Sequence, residues 1–378
     1  MMISNARRGA FAAAIALAVS GLYATAAANA RELVYGILAP MTHPVAAEGV
    51  GPLFEQLKAD TNGSLDWKIV PNGQILTGEG TLPGLRDRIA DGGYLITPYS
   101  RSDLPNTNFV YDLFQFGEDA AAVAGATTET ILLNCPQCIE EFKRNKTVWL
   151  IGTGLSPSRL LCARPVESLA DVKGRKIKGT GGVEARWITA MGGVHLNMTM
   201  PDAVVAIERK TIDCMIGPIA FIKAYGLYDT VKYVPDAIMG VFRTMGVLVM
   251  NRDTWNGFSA AEKAAVLKRA PMATMRPTLK GYVDFDEVVR KEGEAKGIKF
   301  GGARDIDALR RQHVEKDRLV MIDDAKKRGV KDPEGLMAAH LRDLAKWEKI
   351  VAATGHDMEK LSKALWDEVY SKVDPGKI

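Results

Sequence analysis

The chain has 378 residues, 47% of them hydrophobic and 25% charged, a globular composition that excludes a disordered or fibrous chain. At roughly 100 to 200 residues per domain this length predicts two domains. The net charge of +4 is spread along the chain and no Lys/Arg run is interleaved with aromatic residues, so nucleic acid is not an expected partner.

Residues 1–30 read as a secretory signal peptide. Arg7 and Arg8 make a positive start, Ala10 to Val19 an apolar run, and Ala28-Asn29-Ala30 a small-residue cleavage pattern just before Arg31. A permanent anchor needs about 18 or more uninterrupted apolar residues and a stop-transfer flank, which this run lacks. The expectation is export to the periplasm with cleavage after Ala30 and no membrane insertion of the mature chain. The paired arginines also fit a twin-arginine address, but basic pairs are common in ordinary leaders.

From Arg31 onward short apolar runs alternate with helical patterns, the signature of βαβ units on a mostly parallel sheet. Glu32 to Leu38 reads as a strand, His43-Pro44 opens a helix toward Asp60, and Leu65 to Ile69 makes a second strand broken at Pro71-Asn72-Gly73. Leu82 to Asp91 reads as a helix, followed by a strand through Ile96. Cys135-Pro136-Gln137-Cys138 then has the spacing of a redox motif without a thioredoxin-like strand-to-helix context. In an oxidising compartment a local structural disulfide between Cys135 and Cys138 is favoured over catalysis. Cys162 and Cys214 either pair across two strands or stay as small buried hydrophobes. The histidines, His43, His195, His313, His340 and His356, are too scattered to suggest a metal site.

A second set of units follows: strands at Arg159 to Ala163, Lys176 to Lys178, Val194 to Met198 and Ile212 to Ile216, with helices at Val183 to Met191 and Asp202 to Arg209. Met245 to Met250 is a strong apolar strand far from the first set, so the chain is read as returning to its first sheet. The C-terminal third is helical: Ala260 to Ala270, Tyr282 to Ala295, Pro333 to Thr354 and Asp357 to Val373, with kinks or breaks expected at Pro271 and Pro277. No G-x-S-x-G elbow, P-loop or H-E-x-x-H occurs, and Gly179-Thr180-Gly181-Gly182 lacks the full dinucleotide pattern, so no cofactor is expected. Glycine-rich backbone at a helix N-terminus, with Lys178 beside it, instead suits an anionic group near Gly181.

The run Pro165 to Lys178 (PVESLADVKGRKIK), continuing through Gly192-Gly193 to Asp213, resembles the dicarboxylate-binding type of solute-binding subunit of tripartite ATP-independent periplasmic (TRAP) transporters. Pro40 to Pro44, Val70 to Gln74 and Asn251 to Trp255 add to the resemblance, which covers roughly Leu33 to Trp255. It implies a two-lobed α/β periplasmic binding protein with a ligand cleft between the lobes and a helical C-terminal region. The expected division is 31–155 with 244–285 in one lobe and 156–243 with 286–378 in the other. The implied activity is binding without catalysis, with an organic acid as ligand and the TRAP membrane permease as partner. Members usually hold the carboxylate with an arginine where this chain has Lys178, and a second family arginine corresponds to Arg159.

Lysine keeps the charge but loses the planar fork. Tyr99 and Ser100, Met200, the Gly217-Pro218 stretch, His43 and Gln74 complete the expected ligand contacts. The pocket loses polar partners in Cys214 to Pro218, which points to a ligand with one anionic group and a sizeable apolar body. The competing readings are a secreted thiol-disulfide oxidoreductase using Cys135 and Cys138, and a binding protein that serves a sensor or another transporter.

Overall fold

The structure is a computed structural model describing residues 32–378; the signal peptide expected from the sequence lies outside the described residues. The first part of the chain runs β1 (Leu33–Gly36), α1 (Gly51–Asp60), β2 (Trp67–Val70), α2 (Thr81–Arg86) and β3 (Gly92–Leu95). The second helix is shorter than the expected Leu82 to Asp91, because Arg88 takes a left-handed conformation (φ 61°) that ends it. Three helices follow that apolar periodicity did not single out: α3 (Pro105–Asp112), α4 (Ala120–Glu129) and α5 (Pro136–Arg144). Every residue of α4 is buried, so its alanine-rich sequence shows no polar face by which to recognise it. The fully buried strand β4 (Thr147–Thr153) comes next.

The chain then crosses to a second body through β5 (Arg159–Cys162), β6 (Lys176–Gly179), α6 (Gly182–Ala190), β7 (Val194–Asn197), α7 (Met200–Glu208), β8 (Cys214–Gly217), α8 (Ala220–Ala224) and β9 (Tyr233–Val234). It returns as β10 (Met245–Asn251), then α9 (Arg252–Gly257) and α10 (Ala260–Arg276), and continues with α11 (Asp284–Ala295), β11 (Lys299–Phe300), α12 (Arg304–Lys327), α13 (Pro333–Thr354) and α14 (Met358–Glu368). Two mixed sheets result, ordered β2-β1-β3-β10-β4 and β11-β9-β5-β8-β6-β7. β1 pairs in parallel with β2 and β3, while β10 inserts antiparallel between β3 and β4, as its apolar run and distance in sequence suggested.

Two sequence expectations need correction. Pro271 does not break its helix: α10 runs on to Arg276, and the change at Pro277 is to a wider π-helical turn over Pro277–Val283. Packing of α10 against α1, α14 and β4 offsets the hydrogen bond that proline removes. The C-terminal helices, expected on the second lobe, pack on the first: α13 lies along α4, α14 along α10, and Tyr370 Oη donates to the Leu150 carbonyl of β4 at 3.0 Å. Their amphipathic patterns show that they are covered on one face without saying by which lobe.

Both cysteine pairs are joined, Cys135 to Cys138 and Cys162 to Cys214. The second disulfide links directly opposed residues of β5 and β8.

α12 braces the two bodies. Arg186 of α6 binds Asp317 at 2.5 and 2.9 Å and Asp324 at 3.0 Å, while Arg328, just past α12, reaches Asp112 of α3 at 2.7 Å. Where the chain crosses from β4 to β5, the buried Asp286 accepts hydrogen bonds from Ser156 Oγ and the Ala220 N–H, each at 2.6 Å. Burial raises its carboxyl to about 6 despite those bonds. Because the folded value lies above the unfolded one, the stability Asp286 contributes is present in acid and is lost as pH rises through about 6. Compared with Asp286→Asn, the natural protein is expected to lose up to about 3 kcal/mol between roughly pH 4 and pH 7, read as the change in their difference in Tm. A difference independent of pH would show that ionisation is not what this site resists.

Candidate functional site

A narrow, partly open chamber lies between the two bodies. The first body supplies His43, Tyr94, Ile96 and Tyr99, from the loop after β1 and the end of β3; the second supplies Lys178, Thr180, Met200, Ile216, Phe221 and Tyr225. Leu155, Phe242 and Met245, on the crossing segments, close the back. About 30 Å3 of this space accepts a water's centre, room for two or three waters. A ring-sized ligand therefore enters only if the bodies separate. Among the described residues, hydrogen bonds that cross between the bodies here include Tyr99 Oη accepting the Met200 N–H at 3.0 Å, Thr42 Oγ1 donating to the Ala224 carbonyl at 2.9 Å and Tyr111 Oη donating to Glu184 at 2.8 Å. A hinge motion that opens the chamber must break these bonds.

Among the described residues lining the chamber, Lys178 is the charged one. It sits on β6, in register with Met215 of β8 and Leu196 of β7, so the strand pairing fixes its direction. The residue is 3% exposed, and its Nζ donates to Thr180 Oγ1 at 2.5 Å. Burial drives its pKa down to about 8, and the negative charge of Glu184 resists that drop. Glu184 itself is committed elsewhere, accepting from the N–H groups of Gly181 (2.7 Å) and Thr180 (3.2 Å) and from Tyr111 Oη (2.8 Å). Among the described residues no carboxylate forms an ion pair with Lys178. A buried ammonium ion with one neutral partner is the arrangement that gains from an incoming anion.

Of the residues expected to meet the ligand, Lys178, Tyr99, Met200 and His43 converge on the chamber, whereas Gln74 is exposed in the turn after β2. Arg159 is half-buried on β5 and does not line the chamber; the charges that act on it are those of Arg290, Asp236, Asp286 and Asp307, and burial lowers its pKa. The Gly181 N–H is taken by Glu184, which caps its own helix, so this helix N-terminus does not offer that group to a ligand. Ser100 is buried, and its carbonyl accepts the Leu104 N–H. Gly217 acts by absence, since a Cβ there would lie 2.7 Å from the Phe221 ring. Pro218 precedes α8, its carbonyl accepting the Phe221 N–H.

Sequence reasoning missed Tyr94, Thr180, Phe221, Tyr225 and Phe242. Tyr94 lay within a strand already assigned, and a period-two count would have placed it and Ile96 on one face. Thr180 lay in the glycine-rich run already singled out beside Lys178, and Phe221, Tyr225 and Phe242 come from elements with no polar signature.

Residues 38–313 match the family DctP, bacterial extracellular solute-binding protein, family 7. Over 177 residues, 46% of this chain and 51% of the relative, the chain is 29% identical to the outer membrane transporter protein TsaT of Comamonas testosteroni. The chain thus spans about half the length of that curated relative. A TRAP solute-binding protein from a marine metagenome, specific for aromatic acid ligands and solved with 3-hydroxybenzoate, is similar with a TM-score of 0.72 at 20% identity, covering 84% of this chain and 98% of that one. Another from Rhodoferax ferrireducens T118, solved with copurified benzoate, has a TM-score of 0.72 at 16% identity, covering 85% and 99%. At such identities these structures establish a shared two-lobed fold.

Proposed function

The chain belongs to the bacterial extracellular solute-binding proteins of family 7, and from that premise we propose that it captures an organic acid between its lobes in the periplasm and delivers it to a TRAP membrane permease for ion-driven uptake. The observation that carries this reading is Lys178, a buried ammonium ion without an ion-pair partner in a chamber otherwise built of apolar and neutral polar side chains. One cation calls for one anionic group. The ring-lined walls call for an apolar body, so a monocarboxylate is favoured over a small dicarboxylate, whose second charge would find no partner. The aromatic acids bound by the two structural relatives fit this reading.

The thiol oxidoreductase reading is less well supported. Cys135 and Cys138 are both wholly buried beneath the start of α5, where no substrate disulfide reaches them. No helix among the described residues is long and apolar enough to cross a membrane, which fits a partner that acts from outside the bilayer.

The test is thermal denaturation against a panel of benzoate, pyroglutamate, succinate, malate and a sugar acid, since binding to the native state raises Tm. Ring monocarboxylates are expected to raise Tm by several degrees, with little effect from succinate or malate. If no acid shifts Tm and mass spectrometry of the denatured protein finds no copurified acid, the reading fails.

A further inference from the structure

The run Gly179-Thr180-Gly181-Gly182 suggests an anion site in the sequence, but its glycines serve a contact between the two bodies. The backbone of Gly181 is extended (φ −122°, ψ 177°), a conformation open to any residue, so glycine is required there by space and not by the backbone. A Cβ on Gly181 would lie 2.8 Å from Cε1 of Tyr111, and one on Gly182 would lie 3.1 Å from Nη2 of Arg101. Both of those side chains belong to the first body. The bare start of α6 is thus a floor on which that body rests. Tyr111 of α3 passes over it, and its Oη donates to Glu184 Oε1 at 2.8 Å, while Asp112 holds Arg101 beside it at 2.6 Å.

Of the hydrogen bonds named at the seam, this one carries the most weight. Tyr111 and Glu184 are both fully buried and the acceptor is a carboxylate, whereas the Tyr99–Met200 and Thr42–Ala224 bonds join neutral groups that are only partly buried. Burial and the charge of Glu184 keep the Tyr111 hydroxyl protonated, so it stays the donor. The same carboxylate accepts the Thr180 N–H, and Thr180 Oγ1 accepts from Lys178. The contact therefore connects to the anion site through Thr180, although neither Tyr111 nor Glu184 lines the chamber.

We propose that Tyr111, seated on the glycine floor and bonded to Glu184, is a latch that holds the bodies shut over the bound acid. Tyr111 is a positioning residue: it sets how long the acid is retained without touching it. Release requires the bodies to separate, and separation breaks this bond before water replaces it, so the latch acts on the dissociation rate. The proposal rests on the organic-acid reading above and adds the residue that keeps the acid in.

The experiment is stopped-flow measurement of the release of benzoate and of pyroglutamate from the full chain, in the natural protein, Tyr111→Phe, Gly181→Ala and the double variant. Tyr111→Phe keeps the ring and removes the hydroxyl. It is expected to release both acids about tenfold faster, the scale of one hydrogen bond to a charged group, with the ratio of their affinities unchanged. Gly181→Ala is expected to speed release by lifting the ring off Glu184. Because both substitutions break one contact, the double variant is expected to be no more than about twofold faster than the faster single. A merely structural role would lower Tm and leave the release rate of the folded protein as it is.

An unchanged release rate in Tyr111→Phe, a shift in the relative affinity of the two acids, or fully additive effects in the double variant would overturn the proposal. If Tyr111→Phe does not fold, Gly181→Ala decides, and release at the natural rate overturns it. Should another acid of the panel bind in place of these two, the same rates are measured with that acid. An acid that binds and leaves both variants at the natural rate overturns the latch alone and leaves the organic-acid reading standing. Should no acid bind at all, both fall.

Discussion

Lys178→Met is expected to weaken binding of benzoate, or of whichever acid of the panel binds best, by about 2 kcal/mol or more, some thirtyfold, while making the ligand-free protein more stable. The two effects have one cause. Holding the amine at about 8 instead of its ordinary 10.5 disfavours the charged form in the fold and costs roughly 3 kcal/mol at neutral pH. Methionine fills a similar volume without that cost. For a cation with a lowered folded pKa, the unfolded chain binds more protons between about 8 and 10.5, so the penalty shrinks as pH rises through that window.

The Tm advantage of Lys178→Met is therefore expected at pH 7 and should narrow above about pH 8. Affinity of the natural protein for the acid should fall over the same range, by up to about tenfold per pH unit, as the free amine loses its proton. Thermal melts and titrations from pH 6 to 10 check all of this. An unchanged affinity in Lys178→Met would move the anion contact off this lysine. A lower Tm would mean that its bond to Thr180 outweighs the desolvation.

Trp347→Ala is the substitution expected to damage the fold most. Trp347 of α13 is fully buried and lies over Gly125 of α4, where any side chain would run into the indole ring. Its Nε1–H donates to Glu129 Oε2 at 2.8 Å, and Lys346 Nζ reaches the other oxygen of that carboxylate at 2.6 Å. Truncation leaves a large cavity and takes one partner from a buried carboxylate, so a loss of about 4 kcal/mol is expected. That corresponds to a fall in Tm on the order of 8 °C.

Gly125→Val attacks the same contact from the other side by overpacking and should be comparably harmful. Denaturant midpoints of both variants measure the effect. Losses under about 1 kcal/mol would show that α13 is an appendage to the first body and not part of its core.

Much of the architecture was legible in the sequence because strands and amphipathic helices carry their periods locally. β1, β2, β6, β7, β8 and β10 appear close to where the alternation placed them, and the distance of Met245–Met250 from its sheet was enough to suggest a return crossing. The region 105–153 was not legible. A helix buried on all sides, such as α4, has no polar face to reveal its period, and the fully buried β4 has no alternation. Pro271 misled because local backbone cost is visible in sequence and the packing that offsets it is not.

The candidate site divides in the same way. Lys178 and Met200 were identifiable from the family resemblance, and Tyr99 and His43 from their places at a strand end and a helix start. Arg159 was placed in the ligand site by analogy with a family arginine; in the structure it is not among the residues lining the chamber, and the charges that act on it are those of Arg290, Asp236, Asp286 and Asp307. Gly181 was chosen for its N–H, which Glu184, three residues on, already occupies.

The sequence alone pointed to the two α/β bodies, the family, and Lys178, Arg159 and the Gly181 backbone as candidates for anion contact, because each rests on short-range pattern or motif. Only the tertiary structure decided that the C-terminal helices cover the first body, that no carboxylate among the described residues forms an ion pair with Lys178, and that His43 and Tyr282, more than two hundred residues apart, meet beside the chamber. Those outcomes depend on which surfaces meet when the chain closes on itself, and the burial that sets the charge of Lys178 exists only after they have met.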